Sequence, residues 1–179
     1  MTVSTRKAIF GIAFSLVLIG AVVPAAYWYI AQAIDRSLGL EHLSDSPVLF
    51  ILAAFSFLAG LFWVLWAYTY LLFVGKGLPL EAFGTALHPT QVLVTTGPYA
   101  YTRNPSIIGL IFLLLGVGLL QRSISGLVML PAAVAIIIPY LIIFEERALA
   151  ARFGDEYAHY RNAVPLLFPR FIPYAKAQI

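Results

Sequence analysis

The stretch PSIIGLIFLLLGVGLLQRSISGLVMLPAAVAIIIPYLIIF, residues 105–144, decides the fold. Two apolar runs, 105–120 and 126–144, are separated only by Gln121 to Ser125. Uncharged runs of roughly 20 residues are the signature of helices that cross a bilayer, because only a helix satisfies its own backbone there. The first of these runs is short for a span. So brief a connection makes the pair an antiparallel hairpin, and Pro131 and Pro139 predict kinks in its second arm.

Working outward, two more apolar runs precede the hairpin. The first, 8–34, has a bend expected at Pro24 and ends in Tyr27, Trp28 and Tyr29, aromatics suited to the headgroup zone. It opens on Arg6-Lys7 like a secretory leader. However, it outruns the usual apolar core of about 7–15 residues and lacks a small-residue cleavage site, so it reads as a retained span. A loop with Asp35, Arg36, Glu41, His42 and Asp45 leads to the second run, 47–74, long enough to tilt. The segment 75–96 carries Gly75, Gly77, Pro79, Gly84 and Pro89 and predicts an irregular loop. Beyond the hairpin, 145–161 has Leu149, Phe153, Tyr157 and Tyr160 at helical spacing, with Arg147, Arg152, Asp155 and Glu156 on other faces. This predicts an amphipathic helix lying on the membrane interface and ended by Val164-Pro165. The expected fold is thus all-α, a polytopic bundle of about four transmembrane helices plus that interfacial helix. Residues 1–74 form two N-terminal spans and 75–179 a loop, hairpin and C-terminal core, within one domain.

Composition agrees. Hydrophobic residues are 61% of the 179 and charged residues 11%, against about 25% charged in soluble domains. The net charge of +3 follows from membrane sidedness and points to no nucleic acid. Arg6, Lys7, Lys76, Arg103, Arg147, Arg152, Arg161, Arg170 and Lys176 fall on one side, against Arg36 and Arg122 on the other. The positive-inside rule therefore puts both termini and both polar blocks on the cytoplasmic side. Cysteine is absent, which excludes disulfides, thiolate nucleophiles and Cys-ligated metals. No His/Asp/Glu set has metal-ligand spacing, and no nucleotide-binding glycine loop is present. Gly116 and Gly118, inside an apolar run, predict close helix packing.

Chemistry is therefore confined to two polar blocks, 97–105 and 145–170. Arg103 is either an anchor for lipid phosphate or a planar clamp for a carboxylate. Asn104 before Pro105 reads as a helix N-cap, at a helix start that can also receive an anion. Glu145 and Glu146, at the membrane edge, are either a solvated helix start or partners of a cationic or hydroxyl-bearing ligand. Tyr99 and Tyr101 are either belt aromatics or platforms for an aromatic ring or a sulfonium cation. His42, His88 and His159 are lone histidines, read first as surface residues.

The runs TTGPYAYTRNPSIIG (95–109) and EERALAARFGDEYAHYRNAVPLLFPR (145–170) resemble the isoprenylcysteine carboxyl methyltransferase and phospholipid methyltransferase superfamily. Its members share a G-P-Y-x-x-x-R-[HN]-P-x-x-x-G block and an E-E-x-x-L…F-G-x-x-Y-x-x-Y…V-P…P block, here in order around one hairpin. The resemblance covers about residues 75–170. It implies a helical membrane enzyme that holds S-adenosylmethionine between the two blocks at the cytosolic face, without a Rossmann domain. Carried onto this chain, it assigns Gly97, Tyr99, Arg103, Asn104, Pro105 and Gly109 to the first block. Glu145, Glu146, Tyr157, Tyr160, Pro165 and Arg170 belong to the second, and His88 aligns with a cofactor-contacting histidine. Asn104 stands where R-H-P is commoner, which argues against the eukaryotic-type isoprenylcysteine enzyme.

The expected catalytic residues are then Arg103, Asn104 and Glu146. The expected cofactor contacts are His88, Gly97, Tyr99, Tyr101, Arg103, Asn104, Pro105, Glu145, Glu146 and Tyr157, with no metal. The acceptor is expected to be lipophilic, a prenylcysteine-like carboxylate, a phospholipid amine or a thiol, with its tail entering laterally from membrane lipid. Two other readings stand beside this one, a non-enzymatic scaffold or small transporter and a sterol-reductase-like enzyme using a nicotinamide cofactor. The oligomeric state is left open.

Overall fold

A computed structural model describes residues 5–77, 81–82, 85–86 and 89–175. Helix α1 (Thr5–Val17) passes through a π-helical turn (Leu18–Val22) into α2 (Val23–Leu38). The turn sits just before Pro24, which has no N–H to return to the preceding turn, so the expected bend is absorbed as a local widening. Gly39, at φ 63°, closes α2 in the left-handed conformation that glycine adopts cheaply. Helix α3 (Pro47–Phe73) opens with Ser46, whose hydroxyl accepts from the Val48 amide, and with Pro47 at the first helical position.

The hairpin forms as its sequence predicts: α4 (Pro105–Gln121) and α5 (Ile124–Tyr140) flank a turn at Arg122-Ser123. Ser123 caps α5 by accepting from the Gly126 amide at 2.8 Å. Among the described residues three helices are long and apolar enough to cross a membrane, Ala13–Leu38, Pro47–Phe73 and Ile124–Ala163, and Pro105–Gln121 is a shorter apolar one. The protein is a helical membrane bundle. The loop after α3 holds one two-residue strand pair, β1 (Glu81–Ala82) antiparallel to β2 (Thr85–Ala86), and is otherwise irregular over its described residues.

One expectation is corrected at the C-terminal side. The amphipathic segment does not start afresh at Glu145. A π-helical turn (Leu141–Glu145) carries α5 directly into α6 (Glu146–Ala163), with the Glu146 amide donating to Leu141 O. Nor does its apolar stripe face lipid. Tyr157, Tyr160 and Val164 pack with Leu93, joined by Leu149, Phe153 and Tyr174, so the chain itself covers that face. Gly154, at φ 52° and ψ −128°, breaks the helix in a region that only glycine occupies easily. Val164, extended before Pro165, ends it as expected.

Packing is tightest between α3 and α4. A methyl group on Gly60 would lie 2.8 Å from the Gly109 carbonyl oxygen, and one on Gly109 2.5 Å from Val64 Cγ2. Backbones meet there because neither glycine carries a side chain, the usual solution where lipid offers no hydrophobic drive to hold helices together. Gly116 packs on Ala53 and Phe57 of α3, and Gly118 on Gly126 of α5, which explains both glycines as packing positions. At the far end of the bundle, Asp35 accepts from the Ser125 amide and the Ser123 hydroxyl, fastening α2 to the hairpin turn. The Arg122–Asp45 ion pair fastens the α2–α3 loop to the same turn.

Candidate active site

The two polar blocks meet at the end of the bundle where α3 stops, α4 starts and α5 hands over to α6. Backbone bonds stitch them together. The Arg103 amide donates to Pro165 O, Arg170 N to Tyr101 O and Tyr174 N to Ala100 O, each at 2.9–3.0 Å. Thr102, fully buried, donates its hydroxyl to Leu167 O at 2.9 Å, and the Tyr160 hydroxyl donates to Tyr99 O at 2.7 Å. Segment 164–174 is thereby folded back over the turn 97–104, although more than sixty residues separate them.

Each block owes its shape to its sequence. Gly97 adopts φ 60° and lies against the ring of Tyr70, with no room for a Cβ. It opens a short 3-10 turn, Gly97–Ala100, which buries Pro98 and Tyr99. Pro105 then starts α4 at the first helical position. Asn104 occupies the N-cap position as expected, but its side chain makes no capping bond. Its Nδ2 donates instead to Leu166 O at 3.1 Å, because the returning segment brings that carbonyl within reach. Asn104 is a tie between the blocks.

Between them lies a cavity of about 210 Å³. Arg103 and Glu146 form an ion pair in its wall, with side chains only 12% and 9% exposed. The Arg103 Nε is buried without a hydrogen-bond partner among the described residues. Tyr157 lies within hydrogen-bonding reach of the same guanidinium. Glu145 lines the cavity beside Glu146 and is less buried. Burial, reinforced by the charge of Glu145, holds the Tyr99 phenol well above its usual 10.0, so it faces the cavity as a neutral hydroxyl.

Of the expected site residues, Tyr99, Arg103, Asn104, Glu145, Glu146 and Tyr157 line this one cavity. Gly97 and Pro105 do not, and act by shaping the turn and the helix start. Tyr101 points elsewhere, its ring 6.0 Å from that of Trp66 on α3. His88 lies outside the described residues, and His159 is exposed on α6. Among the described residues no group of acidic, histidine or cysteine side chains could hold a metal ion.

Several lining residues escape a reading of the sequence. Leu149 was visible as part of the apolar stripe of α6. Tyr68, Leu93, Ser106 and Tyr140 carried no signal that separates them from ordinary helix and loop positions.

Residues 48–156 match the family model described as phospholipid methyltransferase, well over half of the chain. The chain belongs to the phospholipid methyltransferase family. The match takes in α3, the hairpin and the first half of α6, and so both the Arg103 turn and the Glu145-Glu146 pair of this phospholipid methyltransferase family member. Among curated relatives, the cobalt-zinc-cadmium resistance protein CzcN of Cupriavidus metallidurans is 36% identical over 84 residues, covering 47% of this chain and 38% of that protein. The protein-S-isoprenylcysteine O-methyltransferase of Schizosaccharomyces pombe is 35% identical over 79 residues, covering 44% and 34%. The nickel-cobalt-cadmium resistance protein NccN of Alcaligenes xylosoxydans xylosoxydans is 35% identical over 78 residues, covering 44% and 36%. The matches thus span little more than a third of the length of these relatives. No solved structure matches the chain.

Proposed function

We propose that the protein is a membrane methyltransferase that binds S-adenosylmethionine in the Arg103–Glu146 cavity and methylates a lipophilic acceptor at the cytoplasmic face. The observation that carries this reading is a largely buried Arg103–Glu146 ion pair in the wall of a cavity to which both polar blocks contribute. The donor set fits the amino-acid end of the cofactor. Arg103 presents a planar donor array for a carboxylate, and Glu145 or Glu146 an acceptor for an ammonium group. The neutral phenols of Tyr99 and Tyr157 offer electron-rich faces to a cation.

When bound, the cofactor supplies an electrophilic methyl group, whose bonding electrons return to sulfur as the acceptor's lone pair takes the carbon. The protein's own share is alignment and exclusion of water. Tyr160 ties α6 to the turn that carries Arg103, and Thr102 and Asn104 tie that turn to the carbonyls of Leu167 and Leu166. Among the described residues no dedicated base stands in the cavity besides the two glutamates, which favours an acceptor already ionised or readily deprotonated near neutral pH. A carboxylate near pKa 3.3–3.7 meets that demand more easily than an amine near about 10.4. The name of the Schizosaccharomyces pombe relative points to the same class.

Titration calorimetry on the detergent-solubilised protein tests the reading. S-adenosylmethionine should bind and NADPH should not. A label from the methyl donor should then appear in an organic-soluble product with a 14 Da mass gain. Binding of NADPH alone, or of neither ligand, would refute the assignment.

A further inference from the structure

A second cavity of about 340 Å³ lies deeper along the bundle, between the π-helical turn of the first span and α3. Its lining is wholly apolar and includes Leu16, Ile19, Gly20, Leu61, Leu65 and Leu113. Two observations connect it with the site above. Ile19 lines both cavities. On α3, Leu61, Val64 and Leu65 line the deep one while Tyr68 and Leu71 line the upper one, so a single helix face runs from one to the other. At about 1.5 Å per residue, Leu61 lies roughly 10 Å deeper than Tyr68.

The groove runs beside the π-helical turn, which contributes Ile19 and Gly20 to its wall. None of the turn's five residues is buried, and a side chain on Gly20 would meet nothing within 4 Å. The first span does not meet α3 backbone to backbone as α4 does at Gly60; it reaches the α3 core through the half-buried side chains of Leu16 and Ile19. The residues of the first span also precede position 48, where the family match begins, so this wall is not part of the shared core.

We propose that this groove is the seat of the acceptor's hydrocarbon tail, and that the N-terminal span therefore sets which acceptor the enzyme takes. The inference rests on the methyl-transfer reading, because the upper cavity must be where the head group reacts. One long apolar chain is the ligand that suits a lining without a polar side chain, in continuity with a polar pocket at one end. A tail held there is fixed against α3 while its head reaches Arg103 and Glu146. Discrimination by tail length then follows, at about fourfold in affinity for each methylene buried or lost.

The test uses Gly20→Trp, which fills the groove from its open side, and Leu65→Trp on the opposite wall, which is likewise exposed. Val128→Trp, on the lipid-facing side of α5, is the control. Each protein is reconstituted in phosphatidylcholine nanodiscs. Three quantities are measured: affinity for S-adenosylmethionine, label transfer to a total bacterial lipid extract, and cross-linking by 16-carbon and 8-carbon alkyl amphiphiles carrying a terminal diazirine. In the unaltered protein and the control, the 16-carbon probe should label Leu16–Gly20 and Leu61–Leu65, and the 8-carbon probe should not. Both groove variants should keep cofactor affinity within twofold while losing at least tenfold in cross-linking and in label transfer. Loss of cross-linking with transfer unchanged would show a site for bulk bilayer lipid and overturn the inference. Labelling elsewhere would overturn it as well. Failure of the unaltered protein to bind S-adenosylmethionine would sink the methyl-transfer reading itself, a result the cross-linking pattern cannot mimic.

Discussion

Arg103 and Glu146 are the pair on which stability and function can be separated. Removing one partner leaves the other charged and largely buried, which typically costs about 3–5 kcal/mol. Arg103→Ala and Glu146→Ala should therefore each lower the melting temperature as well as abolish cofactor binding, and neither alone is diagnostic. Replacing both, as Arg103→Met with Glu146→Leu, should restore most of the stability, because an apolar pair of similar volume is often neutral or better in such a place. Cofactor binding should stay lost by at least a hundredfold in calorimetry. If the double variant binds normally, the pair is only a structural clasp. Tyr160 poses a different question. Its hydroxyl satisfies Tyr99 O inside the protein, so Tyr160→Phe should cost about 1–3 kcal/mol in thermal unfolding and loosen the cavity wall. Cofactor affinity should fall less than for the ion-pair variants, by about tenfold or under, because the phenol holds the wall rather than the ligand.

At the scale of elements, the crossing of α3 over α4 depends on Gly60 and Gly109. Gly109→Val would drive a branched side chain into Val64 and the Gly60 carbonyl, and overpacking of this kind costs about 1–3 kcal/mol or more. We expect Gly109→Val to unfold at a lower detergent concentration than the unaltered protein, with helix content retained in circular dichroism until then. Gly118→Ala, whose methyl would lie 3.1 Å from Leu127 Cδ2 and 3.2 Å from the Gly126 backbone, should be destabilising but less so than Gly109→Val. The helices themselves were legible because apolar runs, Ser46-Pro47, Pro105 and Val164-Pro165 mark their limits in residue type. The junction at Glu145 was not. Two adjacent glutamates read as a boundary, yet a helix continues through charged residues when its backbone bonds stay paired, and the added residue is absorbed by a π-helical turn. The stitching of 164–174 to 97–104 was equally hidden. Most of its bonds run between peptide groups, which carry no side-chain signature. Hence the sequence could mark Asn104 as a cap but not as a tie to Leu166.

For the whole molecule, the division of labour between its two ends leads to a topological prediction. One end is a fastening: Asp35 holds Ser123 and Ser125, Arg122 holds Asp45, and Leu43 N donates to Arg122 O. The other end holds the cavity, the continuation of α5 into α6, and nearly all the basic residues. Since Lys and Arg are retained on the cytoplasmic side, the cavity end should face the cytoplasm, where a soluble methyl donor is made. The absence of cysteine makes this testable without background. Glu41→Cys in the α2–α3 loop and Glu156→Cys on α6 lie at opposite ends, and both positions are exposed. In intact cells a membrane-impermeant maleimide should label the cysteine at 41 and spare that at 156; in inverted vesicles the pattern should reverse. Labelling of both from the same side would show that the two ends are not separated by the bilayer. The opposite pattern would put the cavity outside the cell, away from any cytosolic methyl donor, so the reagent's sidedness bears directly on the chemistry and not only on orientation.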